Sequence, residues 1–409
     1  MKGKLKGFLL VAVLLVGCLF VTGCSNNNAG GSTSGEQSQS ENENAGKKAD
    51  AGLPKQMAWS TFGVGSSTYV QAAGIADALT TEFGTKVRIL PSDTSVGRIQ
   101  GVVNGEVDYT VTADGAYFAS YGLYDFANLD LGPQDNIRTL LARPGSTTAV
   151  TTNQTGIETP KDFKGKRLAW IPGSTSVNIK AVACLAYAGY TLDDVTIVAA
   201  PSYKAAVDLV KNGDADWMIG QVTAAHWHEF ESMGIGVKFI EFPAADKEGW
   251  ERLQKVTPWL YPGTATEGVG FNTPIEIPNY VNPLFVTTTD KSVDEVYSLV
   301  KAIDETYDLY KDIDPMMPAW RIDMASGVPV QCPYHEGAIK YFKEKGLWTE
   351  EHEKWNNNYL NELEEVQKAW GPFKEKAVAE KMDPKEVHDE WIKVLKDVLN
   401  KEFPENYDK

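Results

Sequence analysis

Short apolar runs alternate with longer stretches of helical period along most of this chain, and the alternation happens twice. In the first pass Gln56 to Ser60 reads as a strand, with Met57 and Trp59 on one side. A helix spans 68–83, a second strand Lys86 to Leu90, and a helix Val96 to Asn104 carries Val96, Ile99, Val102 and Val103 on its apolar face. Val107 to Thr112 is a third strand, followed by an aromatic-rich helix from Ala116 to Phe126. After a strand-rich stretch, 138–152, broken at Pro144-Gly145, and a polar connector, 157–166, the pattern starts again. Strand Arg167 to Ile171, helix Val177 to Ala188 with Gly189 past its end, strand Val195 to Ala199, helix Tyr203 to Lys211 and strand Trp217 to Ile219 follow in turn. Tyr261 to Thr264 reads as a turn and Asn282 to Thr289 as a strand returning to the first half. Val293 to Asp312 is one amphipathic helix. Beyond Tyr334 the chain is helical, with Trp348, Trp355, Trp370 and Trp391 expected to pack between helices.

The repetition extends to details. Asn104-Gly105-Glu106-Val107-Asp108 parallels Asn212-Gly213-Asp214-Ala215-Asp216, and each follows a helix at a similar distance from a turn of glycine and hydroxyl residues. Two α/β lobes with largely parallel sheets are therefore expected, and such sheets bind ligands beyond the carboxyl ends of their strands. The first turn is Phe62-Gly63-Val64-Gly65-Ser66-Ser67-Thr68-Tyr69 and the second Pro172-Gly173-Ser174-Thr175-Ser176. Gly63 and Gly65 let backbone come close to a bound group, while Ser66, Ser67 and Thr68 offer hydroxyls at a helix start, where free N–H groups and the helix dipole favour an anion. Ser174, Thr175 and Ser176 face them from the other lobe on this reading, Ser95, Val96 and Asp114 line the same edge, and Phe62, Tyr69 and Tyr261 cover the ligand's apolar part. Asp114 suits either an N-cap for helix 116–126 or a partner for a ligand ammonium, the N-cap being the primary reading. Arg98 lies inside a helix and is read as a surface ion pair, and Arg143 lies near a lobe junction, so helix ends rather than a guanidinium are expected to hold the anion.

Composition narrows the class. The 409 residues exceed one ordinary core, and 43% hydrophobic residues fit a globular chain. A net charge of −16, with no basic cluster beyond the first six residues, argues against nucleic acid as a partner. Lys2, Lys4 and Lys6 precede an apolar run, Phe8 to Phe20, and Val21-Thr22-Gly23-Cys24 then meets a polar stretch. This is the form of a bacterial lipoprotein signal, 1–23, with Cys24 lipidated, followed by a flexible tether, 24–53, reaching roughly 30 Å. Cys184 and Cys332 are expected to be two buried thiols.

These features together resemble the TAXI-type solute receptors of TRAP transporters. The residues that carry the resemblance are Gly65-Ser66-Ser67-Thr68-Tyr69, Ser95-Val96-Gly97-Arg98, Asn104 to Asp108, Asp162 to Arg167, Pro172-Gly173-Ser174 and Asn212 to Asp216. Tyr261-Pro262-Gly263, Gly327 to Val330, Tyr334 to Ala338 and Lys345-Gly346 complete the set. It implies an α/β, two-lobed type II periplasmic-binding-protein fold with a hinge. It also implies a small organic acid or amino acid as ligand (glutamate-like, a 2-oxoacid or a dicarboxylate), a TRAP permease as partner, and an extracytoplasmic, lipid-anchored location. Residues 54–152 and 282–349 would form lobe I, 153–281 lobe II, and 350–409 a helical C-terminal extension beyond the family's usual length. A lipid-anchored sensor or an ABC-type binding protein would share this fold. An enzyme is not expected: no nucleophile elbow or phosphate loop occurs, and His226-Trp227-His228-Glu229 on a helix sends its two histidines to different sides, so neither metal nor cofactor is implied.

Overall fold

The computed structural model describes residues 52–404 and Tyr407. The lipoprotein signal, Cys24 and almost all of the tether lie outside the described residues. In chain order the first half runs β1 (Gln56–Thr61), α1 (Ser67–Phe83), β2 (Lys86–Pro91), α2 (Ser95–Val103), β3 (Tyr109–Thr112), α3 (Gly115–Tyr121) and β4 (Ile137–Ser146). The second runs β5 (Thr148–Thr152), β6 (Arg167–Trp170), α4 (Thr175–Ala188), β7 (Thr196–Ala199), α5 (Tyr203–Asn212), β8 (Trp217–Gly220), α6 (Trp227–Ser232), β9 (Val237–Phe239) and α7 (Lys247–Val256). The antiparallel pair β10 (Tyr261–Ala265) and β11 (Ile275–Thr288) then leads to α8 (Val293–Glu305), α9 (Tyr307–Tyr310), α10 (Glu336–Glu344), α11 (Glu350–Glu380) and α12 (Pro384–Leu399).

Two sheets organise these elements, one in order β10-β11-β3-β1-β2 with β4 also on β11, the other β7-β6-β8-β5-β9. The two share a plan: a first strand flanked in parallel by the second and third, then an antiparallel strand from elsewhere in the chain. This is the two-lobed α/β arrangement expected from the repeated pattern of the sequence. The chain crosses from one sheet to the other at Thr147, between β4 and β5, rather than after Thr152. It returns along β11, whose Ile277 packs in the second lobe and whose Leu284, Phe285 and Val286 pack in the first.

The echoed motif has one structural job in both lobes. Gly105 and Gly213 take positive φ after their helices, and the next residues drop into the third strand. There the N–H of Asp108 bonds the Ala58 carbonyl while its Oδ2 accepts the Ala58 N–H at 2.8 Å. Asp216 does the same to Arg167, at 2.7 Å. Each aspartate thus ties the start of its lobe's third strand to the first.

Several expected elements differ. The helix of 116–126 stops at Tyr121 because Gly122 turns left-handed, at φ 64°, and a short turn at 124–126 follows. Pro144-Gly145 does not break its strand: both pair with β11, and Gly145 is required because a Cβ would lie 2.3 Å from the Asn282 carbonyl oxygen. Tyr261 to Thr264 is strand β10, not a turn, with Gly263 leaving room for the Asn279 side chain. The helix of 293–312 is divided at Thr306 into α8 and α9. Cys184 and Cys332 are free and buried, and burial pushes the Cys332 thiol up to about 12.

The C-terminal extension belongs to the first lobe's core. Leu363, Val366, Phe373, Trp391 and Leu395 join its cluster; Trp391 packs edge-on to Trp370 at 4.9 Å and donates its N–H to the Tyr121 carbonyl at 2.8 Å. Helix α10 presses against α8 through Gly337, whose added Cβ would meet the Val293 carbonyl oxygen at 2.4 Å, and His335 Nδ1 accepts the Gly337 N–H.

Two outcomes follow for stability. Asp108→Ala and Asp216→Ala should each cost about 1–3 kcal/mol in urea unfolding, since each strands a strand-edge N–H. Gly337→Ala, normally favourable in a helix, should instead cost about 1–3 kcal/mol, because backbone of α8 must move.

Candidate functional site

Residues from both lobes converge on one cavity at the carboxyl ends of the central strands. Its first-lobe wall is Phe62, Ser66, Ser67, Thr68 and Ala113. Its second-lobe wall includes Ser176, Val177, Lys180, Tyr203 and Gln221, and its floor is made by Thr147, Tyr280 and Asn282 of the crossing segments. The local causes are plain. Gly65 takes φ +87°, Ser66 caps α1 by accepting the Tyr69 N–H at 3.2 Å, and the first-turn amides of Ser67 and Thr68 are left unengaged by that cap. Ser67 and Thr68 are buried at this helix start.

The cavity is narrow, about 50 Å³, because the lobes touch across it. One water needs roughly 10–15 Å³, so this space holds a few waters, and entry of a solute requires the lobes to part. The cross-lobe contacts are specific. The Ser95 N–H donates to the Gly173 carbonyl at 3.1 Å and Ser95 Oγ accepts the Ser176 N–H at 3.3 Å. The Tyr203 N–H reaches Asp93 at 3.2 Å, the Thr175 hydroxyl bonds the Asp125 carboxylate, and the buried His226 ring lies where a Cβ on Gly65 would be.

At the centre Lys180 pairs with Asp114 from the opposite lobe, both essentially without solvent exposure. Lys180 also donates to the Ser176 carbonyl at 2.5 Å and lies over the Tyr280 ring. Burial pulls the Lys180 pKa down and the Asp114 pKa up, and their mutual attraction opposes both shifts. Asp114 Oδ1 has no partner; the indole N–H of Trp259 is directed at this carboxylate without closing a hydrogen bond of ordinary geometry.

Two buried arginines back the cavity. Arg98 is not a surface ion pair as the sequence suggests: it is fully buried, its Nη1 donates to the Ser92 carbonyl at 2.8 Å, and Phe62 covers its guanidinium at 3.7 Å. Desolvation pulls it down to about 9 against the opposing pull of Asp93 and Asp114. Arg143 donates to Gln71 at 2.9 Å and to the Pro144 carbonyl at 2.7 Å, leaving Nη2 unpartnered; Gln71 in turn bonds Ser67 at 2.7 Å. Both side-chain polar atoms of the buried Asn282 are unpartnered as well.

Among the sequence candidates, Phe62, Ser66, Ser67, Thr68 and Ser176 line the cavity. Gly63 and Gly65 shape the turn against Asp93 and His226. Ser95 and Thr175 make hydrogen bonds across the lobe contact, Ser174 is the buried residue that precedes α4, and Asp114 stands behind Lys180, without a side-chain cap bond to α3. Tyr69 and Val96 are half-buried outside the lining, and Tyr261 is 44% exposed at a different hollow. His226 is buried while His228 is exposed, so the two do not share a side. Sequence reasoning missed Lys180, Tyr203, Tyr280 and Asn282. The internal repeat held a signal for one of them: Tyr203 follows the second strand of its lobe as the 91–96 loop follows that of the first.

Among proteins with curated descriptions, none matches the sequence. Similar solved structures include PhnD1 from Prochlorococcus marinus (MIT 9301) in complex with methylphosphonate. It is 12% identical, with 72% of this chain and 99% of that one covered and a TM-score of 0.45. The alkanesulfonate-binding protein SsuA from Xanthomonas axonopodis pv. citri bound to MOPS is 14% identical, with 73% and 96% covered and a TM-score of 0.39. The family model of the NMT1-like family matches residues 60–346, the two lobes and their crossings, and the chain belongs to that family.

Proposed function

We propose that this chain is an extracytoplasmic, lipid-anchored solute receptor that closes its lobes on a small organic acid and delivers it to a TRAP-type permease without transforming it. The observation that carries this reading is the convergence of two helix starts, Ser66 to Thr68 and Ser176 to Lys180, from opposite lobes on one cavity. Its amides and hydroxyls suit a carboxylate, and Lys180 supplies a cation within it. Charge-assisted hydrogen bonds of about 1.5–3 kcal/mol each reach the roughly −8 kcal/mol of a micromolar complex with a handful of contacts. The resemblance to TAXI receptors supports the permease and the anchor at Cys24. Phe62 and Tyr280 would cover the apolar part of the solute.

An amino acid ligand is favoured by one further observation: the unpartnered Asp114 Oδ1, which would receive an ammonium that displaces Lys180. A 2-oxoacid would leave that acceptor unused.

Native mass spectrometry of the purified protein should show a co-purifying acid, and a thermal-shift screen of carboxylates should identify it, since a ligand at 100 times its Kd stabilises by about 2.7 kcal/mol. Lys180→Met should weaken the bound acid about 10- to 100-fold by calorimetry, the worth of one charge-assisted bond; unchanged affinity would contradict the reading. Asp114→Asn should weaken glutamate more than 2-oxoglutarate if the ligand is an amino acid, and both equally if it is not.

A further inference from the structure

A second and much larger hollow, about 700 Å³, lies apart from the cleft, where the C-terminal extension meets the crossing strands. That volume falls within the range typical of small-molecule sites. Its walls are aromatic and come from separate parts of the chain: Tyr117 and Tyr121 of α3, Trp259 and Tyr261 before and in β10, and Trp355 and Tyr359 of α11. The rings hold one another in place, Tyr117 against Trp259 at 4.9 Å, Tyr121 against Tyr359 at 5.6 Å and Trp355 against Tyr359 at 5.5 Å. Tyr261, half-exposed, stands at the edge of this hollow rather than in the cleft.

The polar groups of the hollow define what it would take. Its one carboxylate, Glu362, is already answered, by the Tyr121 hydroxyl at 2.6 Å and the Lys401 ammonium at 2.5 Å, and Lys401 itself rests over the Tyr121 ring. No charge is left for an ionic ligand to balance. Gln331 is different. It is 4% exposed, its Nε2 donates to the Val281 carbonyl at 2.7 Å, and its Oε1 has no partner. A buried acceptor without a donor costs free energy that a ligand can recover. Aromatic walls favour a planar ring, and rings prefer offset or edge-on packing of this kind.

We propose that the hollow lined by Trp259, Trp355, Tyr359 and Gln331 is a second small-molecule site, for a neutral planar aromatic ligand that donates one N–H to Gln331 Oε1. Pro144 and Val281, paired with each other where β4 meets β11, line the same hollow.

Calorimetric titration of the full-length protein with indole and with 1-methylindole tests this, because the two rings differ in the N–H alone. Indole should bind at one site per chain and 1-methylindole about tenfold more weakly. Gln331→Met should abolish that preference. Trp355→Ala, at a partly exposed ring, should weaken both compounds and serves if the Gln331 variant does not fold. No heat from indole up to its solubility limit, or a preference for indole that survives in Gln331→Met, would overturn the proposal.

Discussion

The contact on which the closed molecule depends is the pair formed by Lys180 and Asp114 across the cleft. Neither group reaches solvent, and taking each ion out of water costs several kcal/mol that only its partner offsets. One comes from α4 of the second lobe and the other from the end of β3 in the first, so the lobes cannot part without rehydrating both. The Ser95, Asp93 and Asp125 contacts around it are hydrogen bonds, each worth about 1 kcal/mol alone. Parting the lobes would exchange one desolvated ion pair for two hydrated ions.

The fold was legible in the sequence because it rests on local wiring used twice. Strand, glycine-hydroxyl turn, helix and second strand are short-range features with definite periods. The aspartates at 108 and 216 recur because each lobe needs its third strand tied to its first at the same place. The turn at 62–69 was legible for a related reason: a glycine at φ +87° followed by a serine cap is written in consecutive residues. Pro144-Gly145 misleads for the opposite reason. In isolation the dipeptide signals a break, whereas here the glycine admits the Asn282 carbonyl from a strand far along the chain.

The site was only half legible, and the missing half is the part made by long-range partners. Arg98 reads as a helix-surface residue until the loop at Ser92 and the ring of Phe62 fold over it. Asp114 precedes a helix as a cap would, yet the cation that claims it lies 66 positions away. Lys180 carries no motif. It matters because α4 begins at the cleft and its first turn and a half exposes 176, 177 and 180 on one side, a geometry that periodicity places on a helix but cannot aim. Tyr261 reads locally as part of a turn over the cleft, whereas it begins strand β10 and lines a different hollow.

Long-range contacts of the same kind join the cleft to the crossing strands. Ser67 lines the cavity and accepts a hydrogen bond from Gln71, one helical turn on; Gln71 Oε1 accepts from Arg143; and Arg143 holds the carbonyl of Pro144, beside the glycine that Asn282 approaches. Ser67, Gln71 and Arg143 are buried, Trp320 shares the Gln71 oxygen and Asp314 its nitrogen, so the amide cannot turn without breaking four bonds. Meanwhile α11 and α12 lock α3 and Tyr121 into the first lobe's core. The second lobe is tied to the first by two crossings, at Thr147 and along β11, where the register shifts between Val281 and Leu284. The hydrogen bonds from Ser67 through Gln71 and Arg143 thus join the cavity wall to the strand that leads into the first of these crossings.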